Sequence, residues 1–327
     1  MSDKHFRPPG PLGFGGAPLG NMFNTVDEET AEGALVAAWD TGVRYFDTAP
    51  HYGQGLSEHR FGRVLRRYPR DSFVLSSKVG RLLVADESAP ENPPFKEGLP
   101  FRVEYDYSSD GVRRSIEDSL NRLGLARIDI AFIHDLAEDH HGAAWEEVFE
   151  TAMSGAAKAL IRLREEGVIK GWGLGVNLVE PCRRALEQSD PDVFLLAGRY
   201  SLLDFSGLRE LFPACVERGV HVVVGGPYNS GLLAGGKNYD YQEAPADKVS
   251  ARDRIAAIAK EHGVDIRAAA LQFCAAHPAV AAVIPGAKNA ERVRTNAELM
   301  SQHIPAAFWE ALRSSKLIPD DAPTPPS

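Results

Sequence analysis

Short apolar runs alternate along this chain with longer stretches in which apolar positions recur every three or four residues, the pattern of strands interleaved with helices. The first apolar run is Leu12–Gly16, in PLGFGGAPLG, and Val26–Thr41 follows as an acidic-started helix carrying Ala34, Leu35, Ala38 and Trp39. In Gly42–Leu65, Val43, Tyr45 and Phe46 form a buried strand that stops at Asp47, and Arg60, Phe61, Val64 and Leu65 give the next helix an apolar face. Further strands are predicted at Ser72–Ser76, Arg127–Ile133, Gly171–Val176, Val193–Ala197, Val220–Val224 and Val280–Ile284. Helices are predicted at Ser108–Leu123, Trp145–Glu166, Glu180–Gln188, Gly207–Arg218, Ser250–His262, Ile266–His277 and Glu291–Met300. Arg81–Tyr107, rich in proline, acid and aromatic residues, reads as a long structureless loop of the kind that serves as a lid or binding loop. Eight such alternations predict a parallel sheet with right-handed crossovers, closed into a (β/α)8 TIM barrel. A doubly wound sheet is the alternative, but Pro18 stands where the third glycine of a G-x-G-x-x-G turn would be.

Composition narrows this little but excludes much. The chain of 327 residues is 44% hydrophobic and 25% charged, as expected of one globular barrel domain with a core over about 12–312 and a flexible tail at 313–327. A net charge of −9 argues against a nucleic-acid or anionic-membrane partner. Cys182, Cys215 and Cys274 have neither disulfide nor metal spacing, and the Asp139–His140–His141 cluster and His51 read as loop residues rather than metal ligands. With no apolar leader and no spanning run, the expected location is the cytoplasm.

In parallel α/β proteins, chemistry gathers beyond the carboxyl ends of the strands. Asp47, Lys78 and His134 fall at three successive strand ends, with Tyr52 just past the second strand, which is a proton-transfer set. An ammonium near a phenol stabilises the phenolate, a carboxylate holds the ammonium in place, and an imidazole can hydrogen-bond the reacting oxygen. Asn229, Ser230 and Gly231 offer donors to a pyrophosphate, while Lys288, Arg292 and Asn296 cross a strand-to-helix junction suited to an anion. Gly16 in the first strand and Gly286 after the last allow a ligand to approach the backbone. Phe23, Phe101, Tyr105 and Tyr107 are candidate substrate contacts at the rim.

The blocks GVRYFDTAPHYGQGLSEHRFG, SSKVG, RLGLARIDIAFIHD, GVIKGWGLGVN and VIPGAKNAERVRTN, in this order, resemble the aldo-keto reductases from about Leu12 to Met300. That resemblance implies the barrel, a nicotinamide cofactor (NADP or NAD) and a catalytic tetrad. Tyr52 would be the general acid or base, with Lys78 lowering its pKa, Asp47 pairing with Lys78 and His134 orienting the substrate oxygen. It places Asn177 at the nicotinamide amide. This chain has Ala197 where many members have glutamine and Gly225 where an aromatic usually stacks, with Tyr228 a replacement for that ring. These variants resemble the sugar-dehydrogenase branch that includes aldose 1-dehydrogenases, L-galactose dehydrogenase and pyridoxal 4-dehydrogenase, which implies oxidation of a cyclic hemiacetal to a lactone. The rival expectations are NADPH-dependent reduction of small aldehydes and a non-catalytic, cofactor-sensing regulatory subunit.

Overall fold

The computed structural model describes residues 5–326. Eight parallel strands form one sheet: β1 (Phe14–Gly15), β2 (Tyr45–Asp47), β3 (Val74–Val79), β4 (Ile130–His134), β5 (Gly171–Val176), β6 (Val193–Ala197), β7 (His221–Gly225) and β8 (Val280–Ile284), paired in chain order. Parallel bridges Leu12↔Val283 and Gly15↔Gly286 join the first strand to the last, so the expected barrel closes. Side chains alternate between two environments, as the period of a strand requires. Tyr45, Ile130, Phe132, Val193, Leu195, Val223, Ala282 and Ile284 fill the interior, whereas Phe46, Ala131, Ile133 and Phe194 join the larger core beneath the helices. Inward positions of β5 are glycines because the barrel has no room there; a β-carbon on Gly173 would come 1.8 Å from the Val193 carbonyl oxygen.

Helix ends follow local chemistry. Asp27 caps the helix Glu28–Asp40 by accepting from Thr30 N at 2.8 Å, and Ser108 caps Ser109–Leu123 by accepting from Gly111 N at 3.0 Å. The stretch expected to run unbroken over Trp145–Glu166 contains a π-turn, Met153–Ala157, between two α-helical parts. The expected helix Gly207–Arg218 divides into Ser206–Glu210 and Phe212–Arg218, with Pro213 in the first turn of the second part.

Three regions depart further from expectation. Arg81–Tyr107 is not structureless, since Arg81–Ala85 and Phe101–Tyr105 pair as an antiparallel hairpin with Leu82 and Leu83 buried. After β7, Asn238–Tyr239 and Gln242–Glu243 form a second, short hairpin. A further helix, Ala306–Ser314, follows the last predicted one and buries Phe308, Trp309 and Leu312. Beyond it the expected tail packs: Leu317, Ile318 and Ala322 are buried, and Arg313 Nη2 donates to Ala322 O at 3.0 Å. Among the described residues, no helix is long and apolar enough to cross a membrane, and the three cysteines are free and buried.

Candidate active site

Inward-facing positions at the ends of β2, β3 and β4 bring Asp47, Lys78 and His134 to one mouth. Lys78 is 2% exposed, and its Nζ donates to Asp47 Oδ2 at 2.8 Å, Asp47 Oδ1 at 3.0 Å and Thr48 O at 2.8 Å. Ser76 Oγ donates to Asp47 Oδ1 at 2.6 Å, so both carboxylate oxygens are engaged. Burial pushes the Asp47 carboxyl up, against the opposing pull of Lys78 and Ser76. The glycine at position 175 leaves space for the lysine stem; a β-carbon there would already stand 3.5 Å from Lys78 Cε.

Tyr52 lies above this pair, with Lys78 Nζ 4.7 Å from its ring centroid and the His134 ring 6.0 Å away, edge-on at 80°. Phe95, 5.7 Å from the Tyr52 ring, covers the other side. Burial, reinforced by the Asp47 and Asp135 carboxylates, raises the Tyr52 phenol well above its ordinary value. Arg81 opposes that rise, whereas the ammonium of Lys78 is committed to Asp47 and Thr48 O. Burial and then Arg81 and Lys78 hold His134 well below its ordinary value, so its imidazole is neutral at pH 7.

A second polar cluster adjoins His134. Arg81 Nη2 donates to Asp135 Oδ2, and the guanidinium meets the His51 ring nitrogens at 3.2 and 3.3 Å and lies 4.9 Å from the Tyr105 centroid. His140 Nε2 stands 3.6 Å from the same Asp135 oxygen, and its Nδ1 stands 3.1 Å from Asp139 Oδ1. The Tyr107 hydroxyl donates to His134 O at 2.9 Å.

Across the mouth, the ends of β5 to β8 carry polar groups of a different kind. Asn177 Nδ2 donates to Asp139 Oδ2 at 3.1 Å, and Asn177 O accepts from Arg199 Nε at 2.6 Å. Ala197 and Gly225 are direct partners in the sheet, so neither strand places a long side chain there. Asn229, Ser230 and Gly231 take positive φ values of 47°, 55° and 102° in succession. The N–H groups of Asn229 and Gly231 close that turn onto Gly226 O and Tyr228 O, so these two expected backbone donors are spent. Asn229 is 1% exposed, and its Oδ1 has no hydrogen-bond partner among the described residues. Tyr228 hydrogen-bonds Asn296 Oδ1 at 2.8 Å. Lys288 and Arg292 make no side-chain ion pair among the described residues, and Asn289 caps the helix Ala290–Ser301 beside them.

Residues 11–316 match the aldo/keto reductase family. The chain belongs to that family. It is 42% identical to pyridoxal 4-dehydrogenase of Microbacterium luteolum and 39% identical to D-threo-aldose 1-dehydrogenase of a Pseudomonas species, each over 94% of both chains. Among solved structures, it is similar to an aldo-keto reductase from Bacillus halodurans in its holo form, with a TM-score of 0.73, 26% identity and 96% of each chain covered. The protein is therefore an oxidoreductase of a family that works with a nicotinamide cofactor.

In this aldo-keto reductase, the four residues singled out for proton transfer share one mouth, but the rim candidates divide. Tyr105 stands at the mouth, 4.9 Å from the His141 ring, while Tyr107 is buried beneath it. Phe101 pairs with Ala85 at the far end of the hairpin, about 14 Å along the strand from Tyr105, because Tyr105 lies four residue steps further on. Phe23 holds the neighbouring loop through its N–H to Pro94 O at 2.9 Å, and it is Phe95 that reaches Tyr52. Tyr228 is drawn by Asn296 toward the last barrel helix rather than the centre of the mouth. Gly16 donates its N–H to Asp47 O at 2.8 Å, tying the first strand to the second; Gly286 bridges Gly15. Sequence reasoning missed Arg81, Asp135, Phe95 and Tyr241, whose hydroxyl reaches Asn177 Oδ1 at 3.5 Å, and it set aside His51 and His140 as loop residues.

Proposed function

We propose that this aldo-keto reductase is an NAD(P)-dependent dehydrogenase that oxidises a small cyclic hemiacetal, a sugar lactol or the internal hemiacetal of pyridoxal, to the lactone. The observation that carries the proposal is the buried Asp47–Lys78 pair beneath Tyr52, with neutral His134 edge-on to the same ring. Both curated relatives act, by name, on substrates that exist in water as cyclic hemiacetals. Tyr52 takes the proton of the anomeric hydroxyl during oxidation and returns it in the reverse direction. His134, uncharged, donates a hydrogen bond to the same oxygen. Burial raises the Tyr52 phenol, and Asp47 holds the Lys78 ammonium 4.7 Å from its ring, where a positive charge stabilises the phenolate once it forms.

The residues on the β5 to β8 side fit a nicotinamide dinucleotide: the buried amide oxygen of Asn229, unpartnered among the described residues, can accept from an N–H or O–H of the cofactor, and Lys288 and Arg292, without ion pairs among the described residues, suit its phosphates. Asn177, Tyr228, Ser230, Gly231, Gly16, Gly286 and Asn296 are the other residues in this reading. When bound, the nicotinamide supplies the hydride acceptor. Lys288 and Arg292 suit the extra phosphate of NADP, so both cofactors belong in the assay. The test is a screen of pyridoxal, L-fucose, D-arabinose and L-galactose with NAD and NADP, with lactone identified as product, beside reduction of a reactive aldehyde. Turnover confined to the aldehyde would overturn the proposal, and tight cofactor binding without any turnover would favour a regulatory role.

A further inference from the structure

We propose that Tyr241 is a specificity-determining residue that covers the mouth and, with Tyr105 as the opposite wall, holds a ring-shaped substrate by its face. The proposal rests on the reading of the reaction as oxidation of a cyclic hemiacetal, and it names the part of the molecule that selects a ring. Among the described residues, Tyr105 and Tyr241 are the two exposed side chains of phenylalanine, tyrosine or tryptophan, at 48% and 44%. Such a ring is a large contact surface not yet spent on packing. The two come from opposite sides of the mouth. Tyr105 ends the hairpin that follows β3, and Tyr241 lies in the turn of the hairpin that follows β7, four strands further round a barrel of eight. From there Tyr241 reaches inward, its hydroxyl donating to Asn177 Oδ1 at 3.5 Å at the end of β5. Burial raises its phenol, and the Tyr52 phenol and the Asp135 carboxylate add to that rise, as fits a hydroxyl lying over the reacting groups.

The backbone at Tyr241 is a second, independent observation. Tyr239 pairs with Gln242, so Asp240 and Tyr241 are the two turn residues, and both have positive φ, 47° and 64°. A two-residue hairpin turn of that kind favours Asp-Gly, because its second position suits a residue without a β-carbon. This chain has Asp-Tyr there. A bulky ring in a glycine position is locally strained, and such strain persists only where the surroundings hold it. Here they do: Tyr241 N donates to Ser230 Oγ at 2.9 Å, Arg199 Nη2 donates to Asp240 Oδ2 at 2.7 Å, and Arg199 Nε donates to Asn177 O at 2.6 Å. The turn is thereby tied to the same residue that the Tyr241 hydroxyl reaches, and the ring is held over the mouth. A tyrosine held in advance loses little freedom on meeting the face of a pyridine or the C–H face of a sugar ring. A small aldehyde without a ring offers it no such face.

The experiment compares a ring-bearing aldehyde with a ring-less one in the reductive direction, pyridine-4-carbaldehyde against methylglyoxal, in Tyr241→Gly, Tyr241→Phe and Tyr105→Leu. Tyr241→Gly is expected to lower the ratio of their kcat/KM values by roughly 10-fold, the scale of one lost aromatic contact, chiefly through the KM of the ring-bearing aldehyde. Tyr105→Leu is expected to lower the same ratio, whereas Tyr241→Phe keeps the face and is expected to keep the ratio. Because glycine suits the turn, Tyr241→Gly is expected to unfold in urea at a midpoint no lower than that of the wild type, which a merely structural tyrosine would not give. The Kd of pyridine-4-methanol from enzyme loaded with the reduced cofactor, titrated by calorimetry, is expected to rise in the glycine variant and reads the contact without turnover. An unchanged ratio or unchanged alcohol binding overturns the proposal. So does a larger loss of cofactor than of ring ligand, which would make Tyr241 a cover for the nicotinamide. None of these measurements needs a lactone, so an absent lactone counts against the proposed reaction alone.

Discussion

The two halves of the barrel mouth are built on opposite rules. On the β2 to β4 side, ionisable groups are buried and paired: Lys78 spends its donors on Asp47 and Thr48 O, and Arg81 is committed to Asp135. On the β5 to β8 side, Asn177 and Tyr228 are hydrogen-bonded, but among the described residues Asn229 Oδ1 has no partner and Lys288 and Arg292 make no ion pair, and Ala197 and Gly225 leave space. A buried pair is preorganised, needing no rearrangement when the charge of a reaction develops beside it. Groups not already bonded within the protein can meet a polar ligand without first giving up an internal partner. The first half is thus suited to chemistry and the second to holding a dinucleotide.

The division is tested most severely by Tyr52→Phe, which removes only a hydroxyl. Turnover is expected to fall by roughly 10²- to 10⁴-fold, the contribution of a positioned acid or base, while cofactor affinity, followed by fluorescence titration, stays within a few-fold. In the wild type, the raised Tyr52 phenol makes oxidation accelerate as pH rises, because the base form is needed, and leaves reduction favoured toward neutral pH. Substantial turnover in the variant, or a parallel loss of cofactor binding, would erase the distinction between the two sides.

Next in size is Lys78→Met, which leaves the Asp47 carboxyl buried without its cation. Breaking a buried pair from one side destabilises by about 3–5 kcal/mol, so a marked fall in the urea midpoint is expected. Lys78→Met with Asp47→Leu should recover much of the stability and none of the activity. Equal stability of the single variant and the wild type would mean that this half does not depend on its pair. On the other half, Lys288→Ala should leave folding unchanged and weaken NADP by about 10-fold, the scale of one charge-assisted contact, with little effect on NAD. Equal weakening of both cofactors, measured by titration, removes Lys288 from the extra phosphate.

The two halves were also unequally legible in the sequence. The barrel could be read because β-branched and apolar runs such as RIDIAFI alternate with amphipathic helices, and Asp47, Lys78 and His134 were visible because each ends such a run. Arg81 and Phe95 were hidden inside one segment taken as a loop. The runs RLLVA and FRVEY are five residues each, and the acidic, proline-rich stretch between them obscured their pairing. Asp135 follows His134 directly, but its ion pair is with Arg81, 54 positions away, and no local pattern reports that contact. The packed end of the chain was missed for a similar reason: Leu317, Ile318 and Ala322 are too few to form a periodic signal, and they are buried only by a distant core.

The smallest expected effect probes how far the chemical half excludes protons. His51 sits against Arg81, Asn92, Phe95 and His134. Burial, followed by the charges of Arg81, His140 and Lys78, pushes its imidazole down to about 2. Its folded pKa lies below the unfolded value, so its contribution to stability is present above about pH 6.5 and declines as pH falls from there toward about 2, because only the unfolded chain takes the proton. Where the unfolded state binds one more proton, stability changes by about 1.4 kcal/mol per pH unit. His51→Gln removes this contribution, and the urea midpoint of the variant should fall less steeply than that of the wild type between pH 6 and pH 5, as an order-of-magnitude window below the histidine value. His134 has the same sign, so the slope is reduced rather than abolished. Identical slopes would mean that His51 gains a proton in the folded protein, and that the half of the mouth with paired charges is open to protons after all.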